Sequence, residues 1–237
     1  MDELIPCPFA IEQLPLTLNL SSMTHVKICC IANVQEAKLA LDYGAHALGL
    51  VGPMPSGPGP ISPIEAGNIV SQLPSNVNTF YLTSKVSIEE ILIEYQVVKS
   101  SHIQLTDSTT TTVRKEIKAA YPKLQIVQVI HVVDETSIDE AIEAVAYSDA
   151  LLLDSGAPDK AIKELGGTGR THNWEISQQI VNAVNIPVYL AGGLKSNNVA
   201  IAVEHVNPFG VDLCSGVRTK GSLDKLKLAS FFEALEK

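Results

Sequence analysis

Eight short apolar runs, separated by longer amphipathic stretches, constrain the fold of this chain more than any other feature. Each run is rich in β-branched or large apolar residues, as buried parallel strands are. The runs are VKICCI (26–31), ALGLVG (47–52), NTFYLT (78–83), HIQLTD (102–107), IVQVIHV (126–132), ALLLDS (150–155), PVYLAGG (187–193) and GVDLCSG (210–216). Eight strand–helix units in 237 residues predict an α/β fold, a single-domain (β/α)8 TIM barrel over residues 26–237.

A doubly wound open sheet is the alternative architecture. Such sheets usually contain fewer units and carry a glycine-rich nucleotide fingerprint after the first strand. The first run here ends in CCIAN, which lacks that fingerprint. Residues 1–25 precede the first run, and we expect them to form an N-terminal extension packed on the outside or bottom of the barrel.

Two of the amphipathic stretches begin with serine followed by acidic residues, which is the pattern of a capped helix start. They are SIEEILIEYQVV and SIDEAIEAVAY, so helices are predicted to begin at Ser87 and Ser137. A third stretch, VQEAKLALDYG, is predicted to end its helix at Gly44.

The composition restricts the kinds of partner. A formal net charge of −9 argues against nucleic acid and anionic membrane surfaces. The four cysteines, Cys7, Cys29, Cys30 and Cys214, fit neither a metal-site spacing nor a disulfide framework, so reduced thiols in a cytoplasmic protein are expected. We expect no signal peptide from the acidic, proline-containing start MDELIPCPF, and no apolar run reaches the roughly 20 residues of a membrane helix.

The chemistry of such barrels lies at the carboxyl ends of the strands. Because side chains alternate along a strand, Lys27 and Cys29 are predicted to face the barrel interior, and Cys30 to pack against the helices. Cys29 is then a candidate base, although a strand cysteine is more often a small buried hydrophobe. Asp154, which ends the sixth run, is a candidate general acid or, alternatively, a cap of the following loop.

Two small-residue turns follow the seventh and eighth runs. They are AGGLKSNN and CSGVRTKG, which contain Gly192, Gly193, Ser215 and Gly216. In barrels of this kind the corresponding loops often bind phosphate through backbone N–H groups. The long, polar segment LGGTGRTHNW after the sixth run is typical of an active-site loop. These patterns predict a phosphorylated small-molecule substrate.

Seven segments, in order and at matching spacing, resemble the phosphoribosylanthranilate isomerase family of tryptophan biosynthesis. They are KICC (27–30), GAHALGL (44–50), IQLTD (103–107), LLD (152–154), GGTGRTHNW (166–174), LAGGLKSNNV (190–199) and GVDLCSGVR (210–218). The resemblance implies an aldose–ketose (Amadori) rearrangement without a metal or organic cofactor. It implies that Cys29 takes the proton from sugar C2 and that Asp154 protonates the ring oxygen. It further implies that Asp212 and Gln104 contact the substrate and that Gly192, Gly193, Ser215 and Gly216 hold its phosphate.

The chain departs from the family pattern at several site positions. Cys30 replaces a glycine, Asn173 replaces an aspartate and Arg218 replaces a glutamate. In the loop PMPSGPGP (53–60), Gly59 stands where the family has the arginine that pairs with the substrate's carboxylate. We expect Arg170 to replace that cation and Arg218 to serve the phosphate.

Three functions therefore remain open from the sequence. The first is the isomerase itself, and the second is a paralogous isomerase or epimerase of another phosphosugar. The third is a phospho-ligand binding barrel without catalysis, which the presence of both Cys29 and Asp154 disfavours. The sequence does not indicate an oligomeric state.

Overall fold

A computed structural model of the chain describes residues 24–157, 163–167 and 169–236. Its eight main strands are parallel and close into a barrel in chain order, which confirms the predicted (β/α)8 fold. They are β1 (His25–Ile28), β2 (Ala47–Val51), β3 (Asn78–Thr83), β4 (His102–Leu105), β5 (Gln125–His131), β6 (Ala150–Asp154), β7 (Val188–Leu190) and β8 (Gly210–Leu213). The expected extension of residues 1–25 lies, except for its last two residues, outside the described ranges.

Eight α-helices within these ranges surround the barrel. They are α1 (Val34–Asp42), α2 (Pro63–Ser71), α3 (Ile88–Val98), α4 (Thr111–Ala120), α5 (Thr136–Ala144), α6 (Trp174–Ala183), α7 (Val199–Val206) and α8 (Lys225–Leu235). In the part of the chain that the structure describes, no helix is long and apolar enough to cross a bilayer.

Side-chain alternation divides the core into two layers. Ile28, Leu48 and Leu50 point outward into the large cluster shared with the helices. Phe80 and Tyr189 belong to a second cluster inside the barrel. Lys27 is fully buried and stands opposite Asp212 in the β1–β8 register, so the predicted inward orientation of Lys27 is confirmed.

The helix starts show where local sequence rules hold. The Ser87 hydroxyl accepts from the Glu90 N–H, which confirms the predicted cap of α3. The predicted start at Ser137 is wrong, because α5 begins at Thr136. The Asp134 carboxylate accepts from the Thr136 N–H at 2.9 Å, while the Ser137 hydroxyl lies inside the helix and accepts from the Val133 N–H.

A short antiparallel hairpin between β8 and α8 was not predicted. It consists of β9 (Arg218–Thr219) and β10 (Ser222–Leu223), with Lys220 and Gly221 at positive φ in the turn. This hairpin brings Arg218 to the end of β1, where the candidate base lies.

Candidate active site

A cavity opens at the carboxyl ends of the strands. Eight of the nine site residues predicted from the sequence line it, and Arg170 does not. The eight are Cys29, Gln104, Asp154, Gly192, Gly193, Asp212, Ser215 and Gly216. The barrel closure thus brings these residues from five strand ends together around one cavity.

Cys29 lies immediately after β1, and its N–H donates to the Leu213 carbonyl of β8 at 2.7 Å. Gly49 of β2 packs directly on the thiol, since a Cβ at that position would lie 2.7 Å from the sulfur. Burial raises the pKa of the Cys29 thiol to about 11, although the nearby Lys27 ammonium acts in the opposite direction. At neutral pH the thiol is therefore protonated, and the Lys27 cation nearby favours its ionisation.

Lys27 and Asp212 form an ion pair at the floor of the cavity, which Asp212 lines. The Lys27 Nζ lies 2.9 Å from the Asp212 Oδ1 and 5.2 Å from the centre of the Phe80 ring. Burial alone would lower the pKa of Lys27, but Asp212 and, more weakly, Cys29 hold it above its ordinary value. Lys27 consequently keeps its positive charge beneath the thiol at neutral pH.

Asp154 ends β6 and is almost fully buried. Its Oδ1 accepts from the Ser155 N–H at 2.7 Å, and its Oδ2 faces Gly166, where a Cβ would lie only 2.5 Å away. Burial raises the pKa of the Asp154 carboxyl, although the Ser155 N–H and His131 act against that shift. This carboxyl can therefore hold a proton at a higher pH than an exposed aspartate, as a general acid must.

Gln104 lies on β4 with its side chain in the cavity wall. Its Oε1 is buried and has no hydrogen-bond partner among the residues that the structure describes. Buried polar atoms are nearly always paired, so an orphaned acceptor facing a cavity is suited to a donor on a ligand. Only the family resemblance pointed to this residue.

The two glycine turns meet at one side of the cavity. Gly192 and Gly193 have φ of 83° and 62°, and their N–H groups make no hydrogen bond within the described ranges. Gly216 packs so closely on the neighbouring turn that a Cβ would lie 2.1 Å from the Leu194 carbonyl oxygen. Close approach of two turns with unused N–H groups suits an anion.

The proline-rich loop 53–60 forms another wall of the cavity and contacts the loop after β6. The Ser56 hydroxyl donates to the Lys163 carbonyl at 2.6 Å, and Pro58 packs on Gly167, where a Cβ would lie 2.4 Å from its ring. Met54 and Pro58 give this wall an apolar surface. Among the described lining residues there is no lysine or arginine.

Any residue with a side chain would be strained at position 59 in the backbone conformation that Gly59 adopts. Its φ is 73°, and a Cβ would lie 2.8 Å from the Cys30 Cβ. The two departures from the family pattern, Cys30 and Gly59, are thus in contact.

The two arginines proposed as substrate partners have different surroundings. The Arg170 side chain is 53% exposed and pairs with Glu164 at 2.5 Å. Arg218 is buried, binds both carboxylate oxygens of Glu36 and donates to the Cys30 carbonyl at 2.6 Å. The expectation that Arg218 serves the phosphate is wrong, because its guanidinium is bound to the main chain that follows β1 and to α1.

Cys30 and Cys214 form a disulfide, so the expectation of four reduced thiols is wrong for this pair. Cys30 lies beyond the end of β1 with φ of 63°, and strand alternation does not apply there. Its side chain lines the cavity instead of packing against the helices, as the alternation had predicted. The partners are 184 residues apart, and only the pairing of β1 with β8 brings them together.

Comparisons with known proteins show which proteins this chain is similar to. The family model described as N-(5'phosphoribosyl)anthranilate (PRA) isomerase matches residues 26–234. The N-(5'-phosphoribosyl)anthranilate isomerase of Methanocella arvoryzae is 33% identical over 89% of this chain and 96% of its own length. The Thermotoga maritima phosphoribosyl anthranilate isomerase structure has a TM-score of 0.77 and 27% identity, covering 90% of this chain and 99% of its own.

A further solved structure is phosphoribosyl anthranilate isomerase in complex with reduced 1-(o-carboxyphenylamino)-1-deoxyribulose 5-phosphate. It has a TM-score of 0.75 and 26% identity, and it covers 90% of this chain and 99% of its own. The family model spans the whole barrel, and the curated relative is matched over nearly its full length. This chain therefore belongs to the N-(5'-phosphoribosyl)anthranilate isomerase family.

Proposed function

We propose that this chain isomerises N-(5'-phosphoribosyl)anthranilate to the corresponding 1-amino-1-deoxyketose phosphate by acid–base catalysis. The observation that carries the proposal is one cavity lined by a buried thiol, a carboxyl of raised pKa and two phosphate-suited turns. The reaction needs one group that donates a proton and another that accepts one.

Asp154 is the proposed acid. In its protonated form it donates to the ring oxygen, the bond between that oxygen and C1 breaks, and the nitrogen lone pair forms a C1–N iminium. The raised pKa of Asp154 favours the protonated form that this step requires. The buried position of the carboxyl also strengthens its interaction with the developing charge.

Cys29 is the proposed base. Its thiolate removes the proton from C2 of the iminium, which gives an enolamine and a neutral thiol. The enolamine then takes a proton at C1 from the Cys29 thiol, and its 2-hydroxyl gives its proton to the Asp154 carboxylate as it becomes the ketone. With a pKa of about 11, few Cys29 side chains are thiolates at neutral pH. The iminium is cationic, and together with Lys27 it stabilises the thiolate when the base is needed.

The other predicted site residues are proposed to bind the substrate. The N–H groups of Gly192, Gly193, Ser215 and Gly216 bind the phosphate, Asp212 accepts from a sugar hydroxyl, and the orphaned Oε1 of Gln104 accepts from another donor. Arg170 is proposed to meet the substrate's carboxylate. To do so it must exchange Glu164 for the ligand.

The test is to follow the fluorescence of phosphoribosylanthranilate with the purified chain. Cys29→Ala and Asp154→Asn should each lower kcat by at least ~10²-fold with little change in ligand binding. Asp134→Asn, at an exposed helix start, is the matched carboxyl control and should retain wild-type kcat. Full activity of the Cys29 or Asp154 variant removes that residue from the mechanism.

A second candidate function is isomerisation of a phosphoribosyl amine without a carboxylate. The observation that favours it is the apolar wall of Met54 and Pro58, with Gly59 where the family has its arginine. A phosphoribosylated aniline without the carboxylate distinguishes the two. A higher kcat/KM for that compound than for phosphoribosylanthranilate would support the second function.

A further inference from the structure

The Cys30–Cys214 bridge lies between the proposed base and the proposed phosphate-binding turn of the candidate site. Its partners directly follow Cys29, the proposed base, and directly precede Ser215, in the proposed phosphate turn. Both cysteines line the cavity, and Cys214 is the less buried of the two. The bridge therefore forms part of the cavity wall, from which we expect a small reagent to reach Cys214.

Other contacts already hold the ends of β1 and β8 together. The two strands pair in register from His25 to Ile28, and the Cys29 N–H donates to Leu213. Arg218 adds hydrogen bonds from the β8 side to the Cys29 and Cys30 carbonyls. Opening the bridge should therefore leave the barrel closed and change only the loops that follow these strands.

We propose that Cys30 and Cys214 form a redox-reactive site in the cavity, and that the closed bridge strengthens binding of phosphate ligands. The proposed effect on turnover rests on the function proposed above, whereas the effect on phosphate rests on the geometry of the turns. The reagent class is a small dithiol in one direction and its cyclic disulfide in the other.

The exchange is a balanced two-electron step. A dithiol thiolate attacks the more accessible Cys214 sulfur, the S–S bond breaks, and Cys30 leaves as a thiolate that takes up a proton. The second thiol of the reagent then attacks the mixed disulfide, which releases Cys214 as a thiol and the reagent as a cyclic disulfide. The guanidinium of Arg218, bound to the Cys30 carbonyl, places positive charge near the leaving thiolate.

The bridge affects binding through the backbone on both of its sides. Cys30 has φ of 63°, a conformation that residues other than glycine seldom adopt, and the bridge restrains it there. Its Cβ lies against Gly59 of the proline-rich loop. On the other side, Cys214 fixes the start of the Ser215–Val217 turn. Reduction frees both segments, so ligand binding must then order them.

The experiment uses the full chain, air-oxidised or reduced with dithiothreitol and then freed of reagent. Thiols are counted by alkylation and intact mass, and the affinity for inorganic phosphate is measured by calorimetry. We expect reduction to expose two additional thiols, to weaken phosphate binding and to raise KM for phosphoribosylanthranilate, each by about tenfold. Reoxidation should restore both values.

Two variants serve as matched controls. Cys30→Gly/Cys214→Ser should show the reduced-form values in either buffer, whereas Cys7→Ser should respond to reduction as wild type does. An air-oxidised chain without the bridge, or equal phosphate affinity in both states, overturns the proposal. Redox-dependent phosphate binding by a chain that does not turn over phosphoribosylanthranilate would support it while refuting the proposed isomerase function.

Discussion

Replacing Arg218 with methionine should destabilise the barrel at the point where the candidate base is held. The Arg218 guanidinium makes two 3.0 Å contacts with the Glu36 carboxylate and also donates to the Cys30 and Gly221 carbonyls. The Arg218 side chain is buried and that of Glu36 is largely buried, with 6% and 12% exposure. Methionine fills most of the volume but leaves the Glu36 charge without its cation.

The size of the effect follows from these contacts. Removing one partner of a buried ion pair typically costs about 3–5 kcal/mol. Glu36 would keep the N–H groups of Ala32 and Leu223, so we expect the lower end, about 3 kcal/mol. For a chain of this length that corresponds to a Tm lower by about 6–12 °C. The double variant Arg218→Met/Glu36→Gln should recover part of the loss, because no unpaired charge is left buried.

The same pair predicts a pH dependence. Burial alone would raise the pKa of Glu36, but Arg218 and the main-chain donors hold it below its ordinary value of 4.5. The stability contributed by a carboxyl of lowered pKa is present above 4.5 and is lost as the pH falls through the folded-state pKa. The difference between wild type and Arg218→Met should therefore be largest near pH 7 and should shrink below pH 4.5.

Thermal and urea unfolding at pH 7 and pH 4, with a full double-mutant cycle, measure these quantities. Lys195→Met, at an exposed position, is the control for replacing a cation with methionine and should leave Tm unchanged. A Tm loss under ~2 °C for Arg218→Met, or strict additivity of the two single changes, would refute the argument that this buried pair stabilises the β1 end.

Three further predictions concern the cavity. Asp154→Asn should raise Tm at pH 8, because it removes a carboxylate whose burial opposes ionisation. This gain in Tm should vanish as the pH falls to about 3.8, and a lower Tm of the variant at pH 8 would contradict the prediction. Gly49→Ala should displace the Cys29 sulfur and lower kcat by ~10²-fold, with KM little changed. If the variant keeps the wild-type kcat, the contact between Gly49 and Cys29 does not position the thiol. Arg170→Ala should raise KM for phosphoribosylanthranilate by ~10-fold while affecting a carboxylate-free analogue less, and equal effects on the two compounds would remove Arg170 from carboxylate binding.

Local patterns were sufficient to predict the barrel. The β-branched runs and the serine cap of α3 depend on neighbours in sequence, and they lie where the patterns placed them. The start of α5 was missed because Asp134 and Ser137 both offer polar groups to the same turn, and the aspartate binds nearer the helix start.

The contacts around the end of β1 could not be predicted in the same way. Cys30 meets Cys214 and Arg218 meets Glu36 only after the barrel has closed, and each pair is more than 180 residues apart. One signal was available, since Cys30 and Arg218 both depart from the family pattern. The family resemblance indicated the cavity residues, but it could not show that Gly59 and Cys30 are in contact.

The most direct test of the account is the rate of phosphoribosylanthranilate conversion when C2 of the ribose carries deuterium. If the Cys29 thiolate removes that hydrogen, wild type should convert the deuterated compound more slowly than the unlabelled one. Cys29→Ala should convert both compounds far more slowly than wild type converts either of them. Conversion of both compounds by Cys29→Ala at the wild-type rate would contradict the assignment of Cys29 as the base.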